Sequence, residues 1–187
     1  MSSTVSIIIP AGKEVDGLKE SVESCRFQSY DDLQIIVTAA SREVENLLYG
    51  LDDSRITVLA TTIESQERRL AAAVGYAKGQ AITFLMPGDS QEYNRIAEQS
   101  EFELSLCNIH YDEMPAIKQP ATRHVSKENY RRDKDNLMTL CVATDLVLEV
   151  GMFETDSEQP IQDWLQLMFD TLNYRIPVLR SRLYRKG

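Results

Sequence analysis

Four short apolar runs, separated by segments of helical period, constrain this chain more than anything else in it. Val5 to Ile9 reads V-S-I-I-I and is closed by Pro10; Leu33 to Thr38 reads L-Q-I-I-V-T; Arg55 to Ala60 reads R-I-T-V-L-A; Ala81 to Leu85 reads A-I-T-F-L. Runs this short and this continuously apolar predict strands buried on both faces, as in a parallel sheet. Between them, Val15, Leu18, Val22 and Cys25 recur at helical spacing, residues 42–50 make a short helix ending at Gly50, and Ser65 to Lys78 is Ala-rich with Gly79 as its stop. Strands alternating with helices predict an α/β fold: a mostly parallel sheet, helices on both faces, right-handed crossovers. Ligands of such sheets sit outside the carboxyl ends of the strands. Met86, Pro87, Gly88 and Asp89, which follow the fourth run, therefore occupy the expected site.

Beyond Asp89 the rhythm changes. Residues 91–99 read as a short helix, and Glu103 to Asn108 alternates polar and apolar like a half-buried strand. Tyr111 to Asp135 is polar, contains Pro115 and Pro120, and reads as an irregular surface excursion. Leu137 to Val142 is a strand candidate, and Thr144 to Val150 a helix closed by Gly151. Pro160 opens a helix whose stripe is Ile161, Trp164, Leu165, Met168 and Leu172. Tyr174 to Leu179 predicts a last short strand before a basic tail.

Composition narrows the function classes. A net charge of −9 and a pI near 4.8 argue against a nucleic-acid or anionic-membrane surface. Two basic clusters, Lys127, Arg131, Arg132 and Lys134, then Arg175, Arg180, Arg182, Arg185 and Lys186, read as a solvated loop and a charged tail, with a phosphate contact as the alternative. No run approaches the ~20 apolar residues of a membrane span. Cys25, Cys107 and Cys141 form no C-x-x-C pair, so neither a zinc site nor a disulfide framework is indicated. Pro10 ends the first apolar run too early for a signal segment, and a reducing cytoplasm is the expected compartment. His110, Asp112 and Glu113, just past a strand end, are read first as structural and second as a metal or acid/base group; His124 stands apart from them.

The order of motifs carries a resemblance. The chain has V-S-I-I-I-P at Val5 to Pro10, S-C-R-F-Q-S-Y at Ser24 to Tyr30 and Q-I-I-V-T-A-A-S at Gln34 to Ser41. It continues with A-A-V-G at Ala72 to Gly75, A-K-G at Ala77 to Gly79, F-L-M-P-G-D at Phe84 to Asp89, V-G-M-F at Val150 to Phe153 and Q-D-W at Gln162 to Trp164. This series resembles the family-2 glycosyltransferases. It implies the GT-A fold over a single domain, 1–187, with a nucleotide-binding-type half (1–90) and an acceptor-type half (91–187). That family uses a nucleotide-sugar donor and a divalent metal.

The departures fall on the chemistry. By resemblance the donor-site positions are Pro10, Gly12, Lys13, Ala39, Ala40, Ala73, Met86, Gly88 and Asp89. The family's aspartate pair after the second strand is Ala39 and Ala40 here. Its Y-N after the first strand is Gly12 and Lys13, and the asparagine of R-N-x-G is Ala73. The two metal-binding aspartates of D-x-D become Met86 and Gly88, followed by the surviving Asp89. Magnesium and manganese take oxygen ligands, usually carboxylates, and Met and Gly offer none from a side chain. Lys13 is read as a solvated turn residue, with a phosphate partner as the alternative. Asp163 matches the family's acceptor base, but is read first as an acidic residue that suits the first turn of a helix. The expectation is a degenerate glycosyltransferase-like domain acting in binding, assembly or regulation, with no cofactor unless a working donor site brings Mn²⁺ or Mg²⁺. The alternatives are a metal-independent transferase using Lys13, an arginine and Asp163, and a plain interaction module. The corresponding partners are a nucleotide sugar, another protein or a second copy of the chain.

Overall fold

The computed structural model describes residues 4–110, 123–125, 135–151, 157–171 and 176–186. The four apolar runs form β1 (Val5–Ile9), β2 (Leu33–Ala39), β3 (Ile56–Ala60) and β4 (Ala81–Phe84). They lie parallel in the order β3-β2-β1-β4. Successive side chains of a strand point to opposite faces, and the core divides accordingly. Ile7, Ile9, Ile35 and Val37 pack on one face, with Leu18, Val22, Val44 and Leu48. Ile8, Ile36, Ile82 and Phe84 pack on the other, with Leu70, Ala73, Leu165 and Met168.

The helices supply those layers. α1 (Leu18–Arg26) buries Leu18, Ser21, Val22 and Cys25 on one face, while Val15, expected on the same stripe, precedes the helix and packs partly buried against the same core. α2 (Arg42–Tyr49) and α3 (Gln66–Val74) each begin at a serine, Ser41 and Ser65, whose hydroxyl accepts a backbone N–H of the first turn. α3 is shorter than expected: Gly75 closes it, and Gly79 does not. Gly79 serves close approach instead, because a Cβ there would lie 2.6 Å from the Thr4 carbonyl oxygen and 2.7 Å from Ser6 N.

The second half extends the sheet with mixed polarity. Its elements are β5 (Ser90–Gln91), α4 (Arg95–Gln99), β6 (Leu104–His110), β7 (Arg123–Val125), α5 (Asp135–Thr139), β8 (Cys141–Ala143), α6 (Thr144–Val150), α7 (Pro160–Thr171) and β9 (Ile176–Arg185). β8 runs antiparallel between β4 and β6, and β9 lies parallel to β6 with β5 and β7 antiparallel on it. Five expectations change here. Residues 91–99 are not one helix, since Gln91 pairs with β9 in β5 and α4 begins at Arg95. The strand expected half-buried over Glu103 to Asn108 buries Leu104, Ser105, Leu106 and Cys107 in succession, because β6 lies inside the sheet between β8 and β9. Leu137 to Val142 is not one strand: Leu137 and Leu140 are buried three residues apart at α5, and only Cys141–Ala143 joins the sheet. Within the expected excursion, Arg123–Val125 forms β7, and most of the rest lies outside the described residues. The basic tail is largely strand, because β9 continues to Arg185 and buries Tyr184. Trp164 packs in the core, edge-on to Phe84, with its indole N–H donating to the Gly151 carbonyl at 2.8 Å.

One buried cation holds the halves together. Arg95 on α4 is fully buried, and donates to Thr83 Oγ1 at 2.9 Å, Gln99 Oε1 at 2.8 Å and the Met138 carbonyl at 2.6 Å. Its guanidinium also lies 5.1 Å from the centre of the Tyr184 ring.

Candidate functional site

The sheet reverses direction of growth at β1: β2 and β3 lie on one side of it, β4 on the other. A crevice opens outside the carboxyl ends of strands at such a point. Here it is a cleft of about 750 Å³, the size of an ordinary small-molecule site. Each parallel strand contributes to it through the segment that follows: Pro10 to Glu14 after β1, Ala40 after β2, Thr62 to Glu64 after β3, Met86 and Pro87 after β4. Asp16, Gln66 and Arg69 complete the wall. Backbone bonds fix the rim: the Ala40 N–H donates to the Gly12 carbonyl at 3.0 Å, and Thr38 Oγ1 donates to the Ala11 carbonyl at 2.6 Å.

Of the positions expected at a donor site, Pro10, Gly12, Lys13, Ala40 and Met86 line this cleft together. Ala39 is buried at the end of β2 and borders a neighbouring, shallower groove along Ala40, Ser41 and Ala60 to Thr62. Ala73, Gly88 and Asp89 are not among the lining residues. Ala73 is part of the core beneath α3. Gly88 turns the chain at φ 92°, where a side chain is strained.

Asp89 is buried, and its carboxylate accepts a hydrogen bond from the Tyr184 hydroxyl of β9. Its backbone carbonyl accepts the Ser21 hydroxyl at 2.6 Å. The segment that the resemblance assigns to the metal thus offers the cleft a methionine and a proline. Among the described residues no group of three or more His, Cys, Asp or Glu side chains gathers as a metal donor set. The residues after β4 do not fit a hard divalent cation, which wants two or more oxygens.

The cleft's charges come from elsewhere. Lys13 and Glu64 face each other with Nζ 3.6 Å from Oε1, both well exposed. Glu14 and Asp16 add two more carboxylates, and Arg69 a second cation. Arg69 comes from the buried stripe of α3. Its Nη1 donates to the Ile63 carbonyl at 3.0 Å and to the Glu64 carbonyl at 2.5 Å, which anchors the loop after β3. Burial holds the guanidinium below its ordinary pKa, yet an arginine remains charged. The resemblance did not point to Arg69. The available signal was its place beside Leu70 and Ala73, where an apolar residue would otherwise fall.

Asp163 lies in a different place. It is in the first turn of α7, exposed, bordering a polar hollow of about 320 Å³ with Glu158, Gln159, Gln162 and Gln166. Its carboxylate accepts the Ser157 hydroxyl, and its N–H donates to the Gln159 carbonyl at 3.0 Å. None of these residues lines the larger cleft. His110 ends β6, its side chain lying outside the described set like that of His124 on β7; Asp112 and Glu113 lie outside the described residues altogether. The same holds for Lys127, Arg131, Arg132, Lys134 and Arg175.

The sequence matches no family model and no curated protein. The fold does match solved structures. S. aureus TarS superposes with a TM-score of 0.81 at 16% identity, over 98% of this chain and 36% of that one. Residues 1–349 of TarS in complex with UDP-GlcNAc superpose at 0.76 and 16% identity, over 97% and 58%. The mannosyltransferase PcManGT of Pyrobaculum calidifontis, in complex with GDP-Man and Mn²⁺, superposes at 0.68 and 12% identity, over 100% and 57%. The chain thus spans from about a third to under three-fifths of these chains, and has the mixed α/β fold of glycosyltransferases of the GT-A type. No helix among the described residues is long and apolar enough to cross a membrane.

Proposed function

We propose that this chain is a glycosyltransferase-like binding domain that keeps a ligand cleft, does not perform metal-dependent sugar transfer, and acts in binding, assembly or regulation. One observation carries the reading. After β4, where a diphosphate-bridging metal would need carboxylates, Met86 and Pro87 face the cleft while Asp89 is engaged by Tyr184. A metal there would supply several kcal/mol of stabilisation to a leaving diphosphate as an order of magnitude; without it, the cleft's three carboxylates repel one. The fold neighbours that hold UDP-GlcNAc, or GDP-Man with Mn²⁺, make nucleotide sugars the ligands to test.

The test is calorimetry and thermal shift of the purified protein with UDP-GlcNAc and GDP-mannose, each with and without millimolar Mn²⁺. The expected outcome is no Mn²⁺-dependent binding. A donor at 100 times its Kd stabilises by about 2.7 kcal/mol, so a real site is easily seen. Saturable, Mn²⁺-dependent binding sinks the proposal.

A second reading is favoured by one observation, that Lys13 and Arg69 share the cleft. Two cations in place of a metal suit a metal-independent transferase with Asp163 as acceptor base. Donor hydrolysis without metal, lost in both Lys13→Ala and Asp163→Asn, would establish it. The separate hollow occupied by Asp163 weighs against it.

A further inference from the structure

Charge decides what the cleft can hold once no metal sits in it. Its lining sets Lys13 and Arg69 against Glu14, Asp16 and Glu64, which leaves one negative charge overall. These groups differ in what already occupies them. Lys13 and Glu64 lie 3.6 Å apart and offset each other. Arg69 is buried and commits Nη1 to the Ile63 and Glu64 carbonyls, so it is part of the wall. Glu14 and Asp16 are both exposed. Among the described residues neither carboxylate takes part in an ion pair or a side-chain hydrogen bond. Asp16 precedes Gly17, the N-cap of α1, and no side chain caps that end, so its carboxylate is not engaged by the helix N–H groups.

The charges left to meet a ligand are therefore two carboxylates, in a lining that also presents Pro10, Ile63, Met86 and Pro87. Such a cleft repels an anion and attracts a cation. The rest of the lining selects the kind of cation. Quaternary ammonium groups are held by aromatic faces, and no Phe, Tyr or Trp is among the described residues that line the cleft. Carboxylates accept charge-assisted N–H bonds, and a primary ammonium has three to donate. A volume of about 750 Å³ suits a molecule of sugar size rather than a bare ion. We propose that the cleft takes a small organic cation, a sugar-sized molecule bearing a primary ammonium group, and that Glu14 and Asp16 supply its countercharge. The proposal rests on the preceding reading that the cleft binds ligand without metal.

The test is calorimetry of the whole chain with D-glucosamine at low salt and about pH 6, where ordinary carboxylates are ionised. N-acetyl-D-glucosamine, which replaces the ammonium by a neutral amide, and choline, a quaternary cation, are the comparators. Saturable glucosamine binding at millimolar concentration is expected, with none for either comparator. Glu14→Gln with Asp16→Asn changes two exposed side chains and should weaken glucosamine at least about fivefold, the scale of exposed charge pairs. Lys13→Gln releases Glu64 and makes the cleft more negative, so it should tighten glucosamine about threefold on the same scale; a site for anions would respond with the opposite sign. No glucosamine binding, equal binding of either comparator, or binding unchanged in the double variant overturns the proposal and leaves the metal-free reading standing. Mn²⁺-dependent binding of UDP-GlcNAc removes that reading instead, so the two failures are told apart.

Discussion

The Tyr184 hydroxyl donates to the Asp89 carboxylate across 95 residues of chain, and the same oxygen accepts the Met86 N–H at 3.2 Å. A side chain from the last strand thereby sets the backbone of the segment that floors the cleft. Burial, then the neighbouring Asp89, raises the phenol's pKa far above the ordinary tyrosine value. Tyr184→Phe removes a donor from a buried carboxylate and the acceptor of a backbone N–H. It should cost about 1–3 kcal/mol, read as a lower urea midpoint at unchanged m. In alkaline titration below the unfolding pH, wild type and Tyr184→Phe should show the same tyrosinate absorbance; a difference of one phenolate would contradict the buried placement.

Gly17 begins α1 at φ 68°, and a Cβ there would lie 2.7 Å from Gly88 Cα. Gly17→Ala therefore combines left-handed strain of about 1 kcal/mol with an overlap against backbone, typically about 1–3 kcal/mol. Gly75→Ala is the control, since Gly75 has ordinary helical angles. Thermal denaturation should place Gly17→Ala well below wild type and Gly75→Ala near it.

Asp53 accepts from Arg55 at 2.8 Å and Arg26 at 2.9 Å, and the Arg55 hydrogen bond first of all holds its carboxyl well below the usual carboxylate range. A carboxylate depressed in the folded state adds stability above its unfolded pKa, about 3.9, and loses it as pH falls from there toward the folded value. Asp53→Asn should be less stable than wild type at pH 7, with the gap narrowing below about pH 4 in urea titrations. A constant gap would mean that the ion pairs do not set the acid limb.

Cys25, Cys107 and Cys141 are all buried, and burial pushes the Cys25 and Cys141 thiols up to about 12. Thiolates are the reactive form. Native protein at pH 8 should therefore react with a thiol reagent only slowly, and all three cysteines should react in denaturant. One rapidly reacting thiol in the native state would show a local opening at that strand or helix.

Local pattern alone determined the first half of the fold. The runs at Val5, Leu33 and Ala81 are legible because a strand covered on both faces has to be apolar along its length, and α1, α2 and α3 because one buried face imposes helical spacing; the run at Arg55 becomes the edge strand β3, which is only partly buried. The strand-end rule placed the site after β4, where Met86 and Pro87 line the cleft and Gly88 and Asp89 do not; Pro10, Gly12, Lys13 and Ala40, which the resemblance named, meet them there. What needed the tertiary structure was whatever depends on partners distant in sequence. The direction of the Asp89 carboxylate is decided by Tyr184, a residue that reads in sequence as part of a basic tail. Arg69 reads as an ordinary helix charge until Gly12, in the segment after β1, and the loop after β3 close over it. The shift of Gly79 from helix stop to contact with Thr4 and Ser6, and the splitting of Leu137 to Val142 into helix and strand, have the same cause. Periodicity records which face of a segment is buried, whereas which group fills the space opposite that face is settled only when the sheet assembles.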